Sequence, residues 1–155
     1  MTIVMGLDQH RAQITADWLD TETGELKRGR IAPADRAGVA RFLSRFGGQE
    51  LDVALEATTG WRFVVEEIER AGHAARLADP AETAARRGRK QRAKTDHSDC
   101  ELQLRLLLAG ELPEAWIPPA QVVELRTRVR LRKTLVDQRT AWMRCCHSER
   151  CSPRV

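Results

Sequence analysis

The chain contains no run approaching the ~20 consecutive apolar residues that a membrane span requires, so no membrane partner is expected. Its amino terminus, Met1-Thr2-Ile3-Val4-Met5-Gly6-Leu7-Asp8, carries neither a basic leader nor a small-residue cleavage site. The expectation is therefore a cytoplasmic protein. Cysteine is scarce: Cys100 stands in a helical segment, and Cys145, Cys146 and Cys151 crowd the last eleven residues. No pair has the CxxC spacing of a zinc site, and a disulfide framework does not fit the expected compartment. No internal repeat of about 20–50 residues is visible, which excludes solenoids and propellers.

What remains is a chain of 155 residues with a net charge of +4, long enough for one domain with a substantial core. Ile3 to Asp8 is an apolar run suited to a strand buried on both faces. Ala12 to Asp20 alternates, with Ile14, Ala16 and Trp18 on one face and Gln13, Thr15 and Asp17 on the other. Turn residues 21–25 then lead to a third strand, Leu26 to Ile31, completing an antiparallel meander. Pro33 opens a helix whose apolar face is Val39, Phe42, Leu43 and Phe46, and Gly47-Gly48 ends it. Leu51 to Glu56 is a short buried strand, Trp61 to Arg70 a helix closed by Gly72, and His73 to Ala78 a fifth strand broken by Pro80. Ser98-x-x-Glu101 has capping-box spacing ahead of a helix running to Gly110.

This order predicts an α/β fold with a mixed sheet, three antiparallel strands followed by two crossover-linked parallel ones, the ribonuclease H-like arrangement. That domain is expected over residues 1–112, a Pro-rich joint over 113–119, and a long amphipathic helix over 120–144. In the helix Val122, Val129, Val136 and Met143 recur every seven residues, a coiled-coil seam. The companion position reads Leu125, Arg132, Arg139, so the seam is half apolar, and a homo-oligomer is expected through this helix. Residues 145–155 lose the periodicity and are expected to be irregular. Trp61, Trp116 and Trp142 are expected to pack rather than stack on bases.

Four carboxylates carry the chemistry. Asp8 and Glu56 each end a buried strand, and Asp96 and Asp99 stand three apart at a helix start. Parallel strands joined by crossovers would bring Asp8 and Glu56 out at one edge, where α/β sheets place ligands. Like charges held that close raise one another's pKa values unless a cation neutralises them. An all-oxygen set suits Mg²⁺ or Mn²⁺ better than zinc. Two such ions about 4 Å apart would serve a phosphodiester displacement, with Asp8 bridging, Glu56 holding one ion, and Asp96 and Asp99 facing the same way. Immediately before them, Arg86, Arg87, Arg89, Lys90, Arg92 and Lys94 give six cations in nine positions without an acid. Such a run suits nucleic-acid phosphates and salt-sensitive binding. His10 and His97 flank the acids.

Gly6-Leu7-Asp8-Gln9-His10-Arg11, Glu56-Ala57-Thr58-Thr59-Gly60, Asp79-Pro80 and Lys94-Thr95-Asp96-His97-Ser98-Asp99 together resemble the amino-terminal, RuvC-like domain of DEDD-type insertion-sequence transposases. The resemblance spans roughly residues 3–143. It implies a Mg²⁺-dependent DNA recombinase that moves its element, guided in some members by a structured RNA from that element. It also implies that Asp8, Glu56, Asp96 and Asp99 are the catalytic metal ligands, and that the basic run and long helix contact nucleic acid and a second protomer. Members of the family continue into a second domain with a nucleophilic serine. Here Ser148 and Ser152 are no substitute, and the expectation is a chain shortened by a frameshift near codon 144. The other readings of such a chain are a nucleic-acid-binding remnant without catalysis and a stand-alone nuclease of the Holliday-junction type.

Overall fold

The computed structural model describes residues 2–86 and 96–150, with the side chains of 96, 97 and 147–150 left aside. It divides into two units, Met1–Trp116 and Ile117–Val155. The first holds a five-stranded sheet built from β1 (Thr2–Gln9), β2 (Ile14–Asp20), β3 (Leu26–Ile31), β4 (Glu50–Glu56) and β5 (Ala74–Ala78). Their order across the sheet is β3-β2-β1-β4-β5. β1 to β3 form the expected antiparallel meander, and β4 and β5 run parallel to β1. The strands fall where the apolar runs placed them, within a residue or two at each end.

Two helices belong to the first unit's crossovers, and two more follow β5. α1 (Arg36–Leu43) starts three residues after Pro33, because Asp35 caps it by accepting from the Gly38 N–H at 2.7 Å. A 3-10 turn, Ser44–Phe46, continues it. α2 is Trp61–Arg70. α3 (Pro80–Arg86) begins at the proline that breaks β5. Asp79 accepts there from the N–H groups of Ala81 and Glu82 at 2.9 and 3.0 Å, with proline at the first helical position, where its missing N–H costs nothing. α4 is Asp96–Leu108.

The sheet is covered on both faces. On one, Trp18 meets Phe42 and Phe46 edge-to-face at 5.7 and 5.5 Å between ring centres. Val64, Val65 and Ile68 of α2 are fully buried. α1 and α2 are joined by Arg36, which pairs with Glu67 at 2.8 Å and Glu66 at 2.5 Å. The Arg36 guanidinium accordingly holds both glutamates below the usual carboxylate range. The open edge of β5 is closed by the 113–115 segment: Asp79 N–H donates to the Pro113 carbonyl at 2.8 Å and Ala115 N–H to the Leu77 carbonyl at 2.6 Å.

The second unit contains α5 (Ala120–Arg150). It runs six residues past the point where apolar periodicity fails. Periodicity reports a side-chain seam, whereas the backbone meets no glycine or proline before Pro153. Leu125, Val129, Leu131, Leu135 and Val136 are exposed on it. Of the three tryptophans expected as packing residues, Trp116 and Trp142 are 62% and 74% exposed and Trp61 is half-buried; Trp18 is buried.

Candidate active site

The register of the sheet sets the site. Leu7 of β1 pairs with Leu55 of β4, so Asp8 and Glu56, one residue on in each strand, leave the same edge of adjacent parallel strands. Side chains alternate across a sheet, which puts Asp8 on the face of Gly6 and Glu56 on the face of Ala54, its cross-strand partner. Antiparallel pairing adds Thr15 opposite Asp8 and Asp17 opposite Gly6. These residues share one face, and α4 lies over it.

α4 approaches closely because β1 has a glycine there. A Cβ on Gly6 would stand 2.3 Å from the Cys100 carbonyl oxygen and 3.2 Å from the Leu104 nitrogen. Two further contacts locate the helix. The Cys100 thiol donates to the Thr15 carbonyl at 3.3 Å. Gln103 is fully buried with the end of its amide 2.9 and 3.0 Å from the Leu7 and Ala54 carbonyls. Two acceptors call for the amide nitrogen there, and so oriented it donates to both and bridges β1 and β4. The thiol lies level with the Asp8–Thr15 pair and Leu104 with Gly6, so α4 runs antiparallel to β1. Its amino-terminal turn, which carries Asp96 and Asp99, therefore lies at the edge where Asp8 and Glu56 emerge.

Electrostatics agree with that placement. Burial pushes the Cys100 thiol up, and the charges of Asp17, Asp8 and Asp99 push it further, against a main-chain hydrogen bond from Asp8. Three carboxylates from three elements thus act on one buried thiol. Asp99 is itself 7% exposed and Asp17 fully buried. The Asp8 carboxylate is 14% exposed and meets the His10 Nε2 at 2.9 Å. Glu56 is half-buried at the mouth of its turn, where the Thr58 N–H donates to its carbonyl at 2.8 Å and Gly60, at φ 90°, turns the chain into α2.

Of the four acids read from the sequence, Asp8, Glu56 and Asp99 are therefore brought to one edge and one face. The side chain of Asp96 lies outside the described residues. By donor chemistry, carboxylates only, the set fits a hard divalent ion. Among the described residues, however, no three His, Cys, Asp or Glu side chains form a ready metal-binding group. Of the basic run, Arg86 is described: it ends α3 and donates to the Glu111 carbonyl. Arg87, Arg89, Lys90, Arg92 and Lys94 lie outside the described residues.

Sequence reasoning missed Asp17, Cys100 and Gln103 as parts of this site. Asp17 was legible as the polar half of an alternating strand, but its burial depends on a helix more than eighty residues away. The buried Gln103 amid Leu102, Leu104 and Leu106 was the available signal, since an amide on a leucine-rich helix needs a partner.

Compared with known families, residues 5–148 match the IS110-type DEDD transposase family, described as a transposase. No curated protein matches the chain in sequence. Among solved structures, the cytoplasmic domain of EpsL, an inner membrane component of the type II secretion system of Vibrio cholerae, is similar at 11% identity and a TM-score of 0.37, over 52% of this chain and 57% of that one. The ethanolamine utilization protein EutJ from Carboxydothermus hydrogenoformans is similar at 18% identity and a TM-score of 0.37, over 55% of this chain and 39% of that one. The chain thus spans less than two-thirds of either, and likeness at that level carries no argument. Among the described residues no helix is long and apolar enough to cross a membrane.

Proposed function

Because this chain belongs to the IS110-type DEDD transposase family, we propose that it supplies the carboxylate domain that acts on DNA phosphodiesters during transposition of an insertion sequence. The observation that carries the reading is the convergence of Asp8, Glu56 and the α4 amino terminus at the carboxyl edge of β1 and β4. A ribonuclease H-like fold is supported by the sheet order β3-β2-β1-β4-β5, with its antiparallel meander and two parallel additions.

In this reading Asp8, Glu56, Asp96 and Asp99 hold the cation. Two Mg²⁺ or Mn²⁺ ions, when bound, would stabilise the attacking and leaving oxygens of the displacement. Asp8 stands on the central strand, paired on both sides, which makes it the rigid member and the natural bridging ligand. His10 orients the Asp8 carboxylate through its 2.9 Å contact. Asp99 is delivered by a helix whose position Gly6, Cys100 and Gln103 determine. The basic run before Asp96 contacts DNA phosphates, and α5, with its row of exposed leucines and valines, pairs with a second copy. A guide RNA from the same element is a further partner that the family resemblance brings.

A DNA-binding titration tests the reading. Without a cation the clustered carboxylates repel a phosphodiester, so Mn²⁺ is expected to tighten binding of a labelled branched DNA by about tenfold or more, some 1.4 kcal/mol. Glu56→Gln should lose that increment. Equal affinity with and without Mn²⁺ in the wild-type chain contradicts the proposal.

A further inference from the structure

We propose that the edge strand β3 is a second DNA-backbone contact, centred on Arg30 and flanked by Arg28. The inference rests on the reading of the carboxylate edge as the place where DNA is cut. β3 pairs with β2 alone, at the end of the sheet. Arg30 stands opposite Thr15, and Thr15 opposite Asp8. One row on one face therefore runs Arg30, Thr15, Asp8, with Glu56 following on β4. Two interstrand spacings, about 10 Å, separate Arg30 from Asp8. β3 runs in the direction of β1, so Arg30, next to its last residue, lies at the edge where the acids emerge.

The charges on this strand are sorted by face. Lys27 points to the α1 side and pairs with Glu25 at 3.0 Å. Arg28, on the acid-bearing face, sits opposite Asp17 and reaches its buried carboxylate at 3.5 Å while remaining 52% exposed. Arg30 is exposed, and among the described residues no carboxylate lies within ion-pair distance of it. Edge strands carry charge to discourage pairing with other chains, and Lys27 serves that purpose. A free arginine in line with the acids is not required for it. Two guanidiniums two residues apart, about 7 Å along the strand, face a polyanion that carries one charge per ~3.4 Å of each strand. A DNA strand whose scissile phosphate sits at Asp8 and Glu56 would cross β2 and lay its neighbouring phosphates on Arg30 and Arg28. These are binding residues that position the strand.

The test is the salt dependence of binding to duplex DNA of arbitrary sequence, measured by anisotropy on the full chain. Each lost phosphate contact lowers the slope of log K against log salt by about 0.9. Arg30→Gln is expected to lower it by about one, and Arg28→Gln with Arg30→Gln by about two. Arg30→Lys keeps the charge and should keep the slope, and Lys27→Gln should leave it unchanged. Arg30 and Lys27 are exposed and pair with no buried group, so the melting temperature should hold in their single variants, which separates lost binding from lost fold. Arg28→Gln also strips the buried Asp17 carboxylate of its counter-charge, so the double variant should melt lower and is compared at a temperature where it is folded. A wild-type slope in the double variant, or an equal fall in Lys27→Gln, would overturn this inference and leave the proposed function standing. Failure of the wild-type chain to bind DNA at any salt concentration would overturn both.

Discussion

Gly6→Ala is expected to lower the unfolding free energy by about 3 kcal/mol or more, the upper end of what overpacking costs. The reason is where the new methyl would go. Its position is 2.3 Å from the Cys100 carbonyl oxygen, a main-chain atom of a helix, and no side-chain rotation relieves that. α4 must move off β1. Contrast Gly24, where a Cβ meets nothing within 4 Å and only the left-handed φ of 71° opposes alanine; the cost there is about 1–2 kcal/mol. A urea titration followed by circular dichroism separates the two: with a slope of about 2 kcal/mol per molar, Gly6→Ala shifts the midpoint by about 1.5 M. A shift no larger than that of Gly24→Ala would mean that α4 yields easily, and that its amino terminus is not held against the sheet.

Gln103→Leu is expected to cost about 2 kcal/mol, although it keeps the side-chain volume and adds apolar surface. Gln103 is fully buried, and its amide serves carbonyls on two strands at once. Leucine removes both donors and leaves two buried acceptors short, each worth about 1 kcal/mol or more. The same titration measures the loss. The effect should extend to metal uptake, because Gln103 is one helical turn beyond Asp99 on the same face. A Gln103→Leu chain as stable as the wild type would show that the amide contributes nothing to docking the helix.

Much of this arrangement was legible beforehand. The strands betrayed themselves by apolar runs ending in Asp8, Glu56 and Pro80, and the crossover order alone placed Asp8 and Glu56 together. Each of those inferences uses a local pattern or a rule of chain connection. Asp17 shows where such patterns stop. Alternation separates the Thr15 and Asp17 side from the Ile14 and Trp18 side, but it does not tell whether a helix returns to cover the polar side. α4 does return, and both Thr15 and Asp17 are buried beneath it. The limit of α5 was misjudged for a related reason: a seam that fades at Arg144 marks the end of an apolar stripe, while the helix itself continues through Cys145 and Cys146.

Burial of the thiol, and after it the charge of Asp17, also explains why Cys100 is inert in this reading. Its thiol is desolvated and faces three carboxylates, so it stays protonated, which is the state in which it donates to Thr15.

The central claim is that Asp8, Glu56, Asp96 and Asp99 hold divalent cations at one edge of the sheet. Calorimetric titration of Mn²⁺ into the purified chain, beside Asp8→Asn, tests it most directly. The account predicts uptake of about two ions by the wild-type chain and none by a folded Asp8→Asn chain, since the bridging ligand is gone. A folded wild-type chain that takes up no Mn²⁺, or an Asp8→Asn chain that takes it up equally well, would contradict it.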